Sequence, residues 1–199
     1  MSNFVIAFCG SGRRSAGKHA GTVAGLVAAL AVGAFGAGSA AAQDAAAKPD
    51  FSGLWFPAGT RTQPQPLPFT DAAQALVEEY RQAFELDDDP GRYCIIPGMP
   101  RAVWGAPFTI EIFHRPQDLT IYWEGYGMYR KIYMADHNPP RALVPSSMGH
   151  SIAHWEGDTL VIETTNFTPG FSNGPSPNSA QMKVTERLTP TGPDQIRYE

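Results

Sequence analysis

Residues 148–164, MGHSIAHWEGDTLVIET, constrain the fold of this chain more than any other stretch. They read as a strand, a tight turn and a returning strand. Glu156-Gly157-Asp158-Thr159 supplies the turn: a glycine able to take positive φ, then an aspartate able to bond its own backbone. An isolated two-stranded hairpin is barely stable in water, so a chain containing this one needs further strands beside it.

The flanking sequence offers them. Residues 50–56 form the first strand candidate, and a Pro-rich connector follows over 57–68. Thr70 or Asp71 caps one helix, 72–84, whose apolar stripe runs through Ala75, Leu76, Tyr80, Ala83 and Phe84. Asp87-Asp88-Asp89-Pro90-Gly91 ends that helix, and reads as a solvated turn rather than a calcium loop. Residues 94–101 are extended and pinned by Pro97 and Pro100. Strands are then expected over 108–113, 119–124 and 126–134, with His114-Arg115-Pro116-Gln117-Asp118 as a turn and a Pro-rich loop over 135–141. After the central hairpin come a loop over 168–179, a strand over 181–188, a turn at 191–194 and a last strand from Ile196. Short strands with turn signals and one helix describe a mainly β fold. The expectation is an antiparallel meander closing into a small barrel or a curved sheet, with the N-terminal helix against one face or end. A strand pattern that stops at Glu199 leaves an edge, so the domain is expected to be truncated at its C-terminus, and a homodimer could close that edge.

Residues 1–42 read as a signal peptide. Arg13, Arg14 and Lys18 precede an apolar, Ala- and Gly-rich run, and Gly38-Ser39-Ala40-Ala41-Ala42 offers an A-x-A cleavage site. The run is too short and Gly-rich for a membrane span. Paired arginines also occur in twin-arginine signals, but their neighbours here suit the Sec route better. The chain beyond it, 43–199, is one β-rich domain expected in the periplasm or outside the cell. Its 12 basic and 19 acidic residues leave a net charge of −7. Without a basic stripe it is no candidate for nucleic acid or for anionic membrane surfaces. Cys94 is the one thiol left after processing, and a lone thiol of this kind is expected to be buried and inert.

Two resemblances follow from these residues. Gly53-Leu54-Trp55 resembles the G-x-W opening of lipocalin-like barrels, which implies a lipocalin-like barrel fold. DFSGLW over 50–55, CIIPGMPR over 94–101, Glu111 and residues 148–164 together are similar to a large, uncharacterised family of secreted bacterial proteins. That likeness implies export and a β-rich domain, and carries no catalytic residues with it.

The site reading starts from His150 and His154. Their H-x-x-x-H spacing suits zinc on a helix, but on a strand the two Cα atoms are about 13 Å apart, at about 3.3 Å per residue. No metal and no cofactor is therefore expected. His150 shares a face with Ile152 and is expected to point into an apolar space, where it could act as general acid or base with Glu111 or Glu124. Arg101 and Arg130 are candidate clamps for an anion or a carbonyl, and Trp123, Tyr126, Tyr133 and His154 candidate ligand contacts. The leading expectation is binding of a small, partly hydrophobic molecule in a barrel-like cavity. The alternatives are a cofactor-independent isomerase, lyase or hydrolase in the same pocket, and an envelope protein-interaction module acting through the Pro-rich loops. No nucleophile elbow and no phosphate-binding glycine loop is present.

Overall fold

The computed structural model describes residues 6–10, 47–58, 68–85, 93–104, 108–142, 144–171 and 177–199. Its strands are β1 Ile6–Gly10, β2 Gly53–Ala58, β3 Ile110–Arg115, β4 Asp118–Trp123, β5 Met128–Met134, β6 His150–Glu156, β7 Thr159–Thr165, β8 Gly170–Phe171, β9 Pro177–Asn178, β10 Val184–Gly192 and β11 Gln195–Tyr198. Two helices accompany them, α1 Asp71–Ala83 and the single-turn α2 Arg101–Trp104. The mainly β expectation holds. In the order β2-β3-β4-β5-β6-β7-β10-β11 the strands form a curled eight-stranded sheet, and β1 pairs with both of its ends. The segment Asp87-Asp88-Asp89, the greater part of the leader-like stretch and most of the 57–68 connector lie outside the described residues.

Alternation builds the wall. Along β5, Met128, Arg130, Ile132 and Met134 are buried, while Tyr129, Lys131 and Tyr133 face outward. The same parity buries Ile110 and Ile112 of β3, Leu119, Ile121 and Trp123 of β4, Leu160 and Ile162 of β7, Leu188 of β10, and Ile196 and Tyr198 of β11 in one core. Trp55, from the G-x-W triplet, joins that core. Its indole Nε1–H donates to the Phe51 carbonyl at 2.9 Å. Two-residue loops close the tight hairpins. Glu156 pairs with Thr159 across Gly157, whose φ of +59° is the conformation that such a loop needs at its first position.

One pairing departs from a pure meander. β5 and β6 are parallel, with Ile132 opposite Ser151 and Met134 opposite Ala153. A parallel neighbour needs a crossover of about a dozen residues or more, and residues 135–149 provide one. Helix α1 is capped by Thr70, whose Oγ1 accepts from the Ala73 N–H at 3.3 Å. It lies against the small β8–β9 ribbon through Tyr80, whose ring sits 4.7 Å from that of Phe171.

Two expectations change at the edges. Cys94 is exposed, not buried, because the chain enters the core only at Pro97 and the thiol belongs to the turn before it. The last strand is paired on both sides, by β10 and by β1 from the 1–42 segment.

Candidate functional site

The inner face carries a chain of polar groups in otherwise apolar surroundings. Arg130 and Glu186 are 3% and 4% exposed, and neither is near water enough to be solvated by it. The guanidinium grips the carboxylate with two bonds, Nη1 to Oε1 at 3.1 Å and Nη2 to Oε2 at 2.6 Å. Since β5 and β10 are separated by β6 and β7 in the sheet, this pair bridges the interior rather than running along one strand pair. Tyr198 donates its phenol O–H to Glu186 Oε1. Thr164 donates to Oε2 at 3.4 Å, and its hydroxyl in turn meets that of Ser151 at 3.0 Å. The Met99 sulfur lies 3.1 Å from Arg130 Nη1, brought there by the buried stretch Pro97-Gly98-Met99. One donor is left over: Arg130 Nε is buried and has no hydrogen-bond partner.

Electrostatics fix the protonation of Arg130 and Tyr198 in this cluster. Burial pushes the Arg130 pKa down, but the Glu186 carboxylate and the Tyr198 oxygen outweigh burial and raise it, so the arginine stays charged. Burial first, and Glu186 second, push the Tyr198 phenol well above its usual value near 10. The sign for stability follows. The folded protein holds the phenol proton after the unfolded chain has released it, so stability present below about pH 10 is lost as pH rises further. Urea midpoints between pH 8 and pH 11 should fall more steeply in the wild type than in Tyr198→Phe. Equal slopes would contradict this placement of Tyr198.

A second cluster sits where residues 50–51 meet β3 and β6. His114 is at the end of β3, on the inward parity, and its ring stacks 6.0 Å from Phe51 and meets Trp155 at a tilt, also 6.0 Å away. Its Nδ1 accepts from the Phe51 N–H at 3.2 Å and lies 3.5 Å from Asp50 Oδ1. Burial lowers the His114 pKa despite the opposing pull of Asp50, so the ring is neutral at pH 7. The unfolded chain therefore takes up a proton first, and stability present above pH 6.5 declines as pH drops below it. Denaturation at pH 7.5 and pH 5.5 should show this loss in the wild type and a smaller one in His114→Gln.

The residues nominated from sequence are distributed as follows. Arg130 and Trp123 lie inside. His150 does not. Its strand turns Ser151 and Ala153 inward, and His150, Ile152 and His154 share the outer side. Its ring packs on Tyr133, also outward, at 5.6 Å. Glu111 faces outward between the buried Ile110 and Ile112, Glu124 and Tyr126 are exposed at the β4–β5 turn, and Arg101 is half-buried in α2. His154 is exposed beside Glu156, at 3.4 Å. Glu111 on β3 and His150 on β6 are three strand spacings apart, about 14 Å. The grouping of His150 with Glu111 and Glu124 is therefore not formed. Among the described residues no three of His, Cys, Asp or Glu gather as a metal set.

Glu186, Tyr198, Thr164, Ser151 and Met99 were not nominated. The available signal was parity: Glu186 falls between Val184 and Leu188, Thr164 follows Leu160 and Ile162, and Tyr198 follows Ile196. A charge on an apolar face demands an opposite charge inside, and among the described residues Arg130 is the one buried cation. No family model, no curated protein and no solved structure matches the chain.

Proposed function

We propose that this is an exported domain that binds a small, partly hydrophobic molecule inside the barrel, with a neutral acceptor group of that molecule on Arg130 Nε. The observation that carries the reading is the buried Nε–H, which has no hydrogen-bond partner among the described residues, beside the bidentate Arg130–Glu186 pair. An orphaned buried donor costs about 1–3 kcal/mol, and a ligand carbonyl or hydroxyl would recover that cost. Because Glu186 already neutralises the guanidinium, a second anion beside it would be repelled, so the acceptor is neutral. Met99, a flexible side chain already against Arg130, would give way to the ligand body, with Ile121 and Ile132 beside it. The leader pattern of residues 1–42 and the likeness to secreted bacterial proteins support export.

The test is side-chain NMR of the arginine ε resonances during titration with 2-undecanone and, separately, with decanoate. The neutral ketone should shift the Arg130 Hε signal, and decanoate should do so far more weakly. Arg130→Lys keeps the charge and loses the Nε donor, and should weaken ketone binding about tenfold. Shifts confined to the outer face around His150 and Tyr133 would refute the reading.

A further inference from the structure

We propose that the space between β2 and β11 is an acceptor site for an extended, uncharged peptide strand, held in this chain by its own residues 6–10 and open to a strand from another polypeptide when they leave. The strand seated there defines the site. β1 pairs antiparallel with β2, with Ala7 opposite Ala58 and Gly10 opposite Trp55, and antiparallel with β11, with Ile6 opposite Tyr198 and Cys9 opposite Gln195. The two ends of the eight-stranded sheet do not pair with each other, so taking β1 away leaves a gap one strand wide with an unpaired backbone edge on either side.

Three features make β1 a replaceable occupant. It is five residues long, so few main-chain bonds hold it. Residues 11–52 separate it from β2 in the sequence, so no tight hairpin fixes it in place. It also belongs to the 1–42 segment with the leader pattern, so processing after Ala42 would remove it. The exposed edge is not protected in the usual way. Natural edges carry inward charges or lysines, yet β2 has no charged residue from Gly53 to Ala58, and its outward Leu54 and Phe56 are 40% and 47% exposed. Such an edge selects a strand by backbone bonds plus apolar side chains on its outer side, which is the chemistry of peptide capture by strand addition. Pro57 lacks an N–H, so the match is expected to rest on the positions either side of it.

The experiment uses the full chain carrying Ala7→Pro and Phe8→Pro, adjacent positions whose main chains face opposite neighbours. The probe is a fluorescent synthetic peptide of residues 4–12 carrying Cys9→Ser, with a second peptide bearing the same two prolines as control. The variant should bind the probe at least tenfold more tightly than the wild type does, ignore the control, and regain amide protection at Trp55, Phe56 and Ala58 and over 195–198 when the probe is added. A folded variant that leaves the probe free would overturn the proposal. A variant that becomes a dimer by sedimentation, with those same amides protected and no probe bound, would overturn it in favour of a second copy as occupant. Should the variant not fold, the wild type answers the question: excess probe should accelerate hydrogen exchange over residues 6–10, and unchanged exchange would overturn the site.

Discussion

Arg130→Met should destabilise the protein by about 3–5 kcal/mol, the largest effect expected of any single substitution in the interior. The loss of the guanidinium is not the main cost. It leaves the Glu186 carboxylate buried, with only the hydroxyls of Tyr198 and Thr164 to solvate it. Adding Glu186→Leu removes that stranded charge, so the double variant should be more stable than Arg130→Met alone. Urea denaturation of the two single variants and the double variant gives the coupling directly, and about 2 kcal/mol or more is expected. Additive effects would mean that the two side chains do not meet across the barrel.

Gly149→Ala should cost about 2–4 kcal/mol, for two reasons that can be separated. Gly149 has φ +69°, and a Cβ there would lie 2.6 Å from Thr164 Cγ2, 2.7 Å from the Thr165 carbonyl oxygen and 2.8 Å from Phe167 Cε1. The carbonyl is backbone and cannot move aside without disturbing the pairing of His150 with Thr165. Gly157 has a similar φ, +59°, with nothing within 4 Å of its added Cβ. Gly157→Ala should therefore cost only the conformational part, about 1 kcal/mol. Thermal or urea unfolding of both variants checks the pair, and equal losses would contradict the crowding at Gly149.

Most of the wall was legible in the sequence. Local alternation and turn residues are what set strand position, and they placed α1 and each long strand to within a few residues. What the sequence hid was direction. The central hairpin was read with its apolar side inward, which put Ile152 and His150 in the core. The inward residues of β6 are instead Ser151, Ala153 and Trp155, and the first two are too small to leave a hydrophobic signal against the outward Ile152. His114 looked like part of a turn because Arg115-Pro116-Gln117-Asp118 is rich in turn residues. Two residues suffice to close that hairpin, so His114 stays on the strand and faces in. The parallel pairing of β5 with β6 was hidden for a different reason. A Pro-rich connector looks the same whether it closes a long hairpin or carries the chain across to a parallel neighbour. Half of the buried charge pair was legible, since Arg130 was read as a clamp for an anion or a carbonyl, and on β5 it shares the inner face with Met128, Ile132 and Met134. Glu186 lies 56 residues further on, and its partnership is a fact of barrel closure rather than of local pattern.

The measurement that bears most directly on the central claim is native mass spectrometry of the protein exported from a bacterial host, run beside the Arg130→Met, Glu186→Leu double variant. An interior site built on Arg130 predicts an organic mass that travels with the wild-type protein, leaves on denaturation, and is missing from the folded double variant. The same mass retained by the double variant would contradict the account and move the site away from the barrel interior.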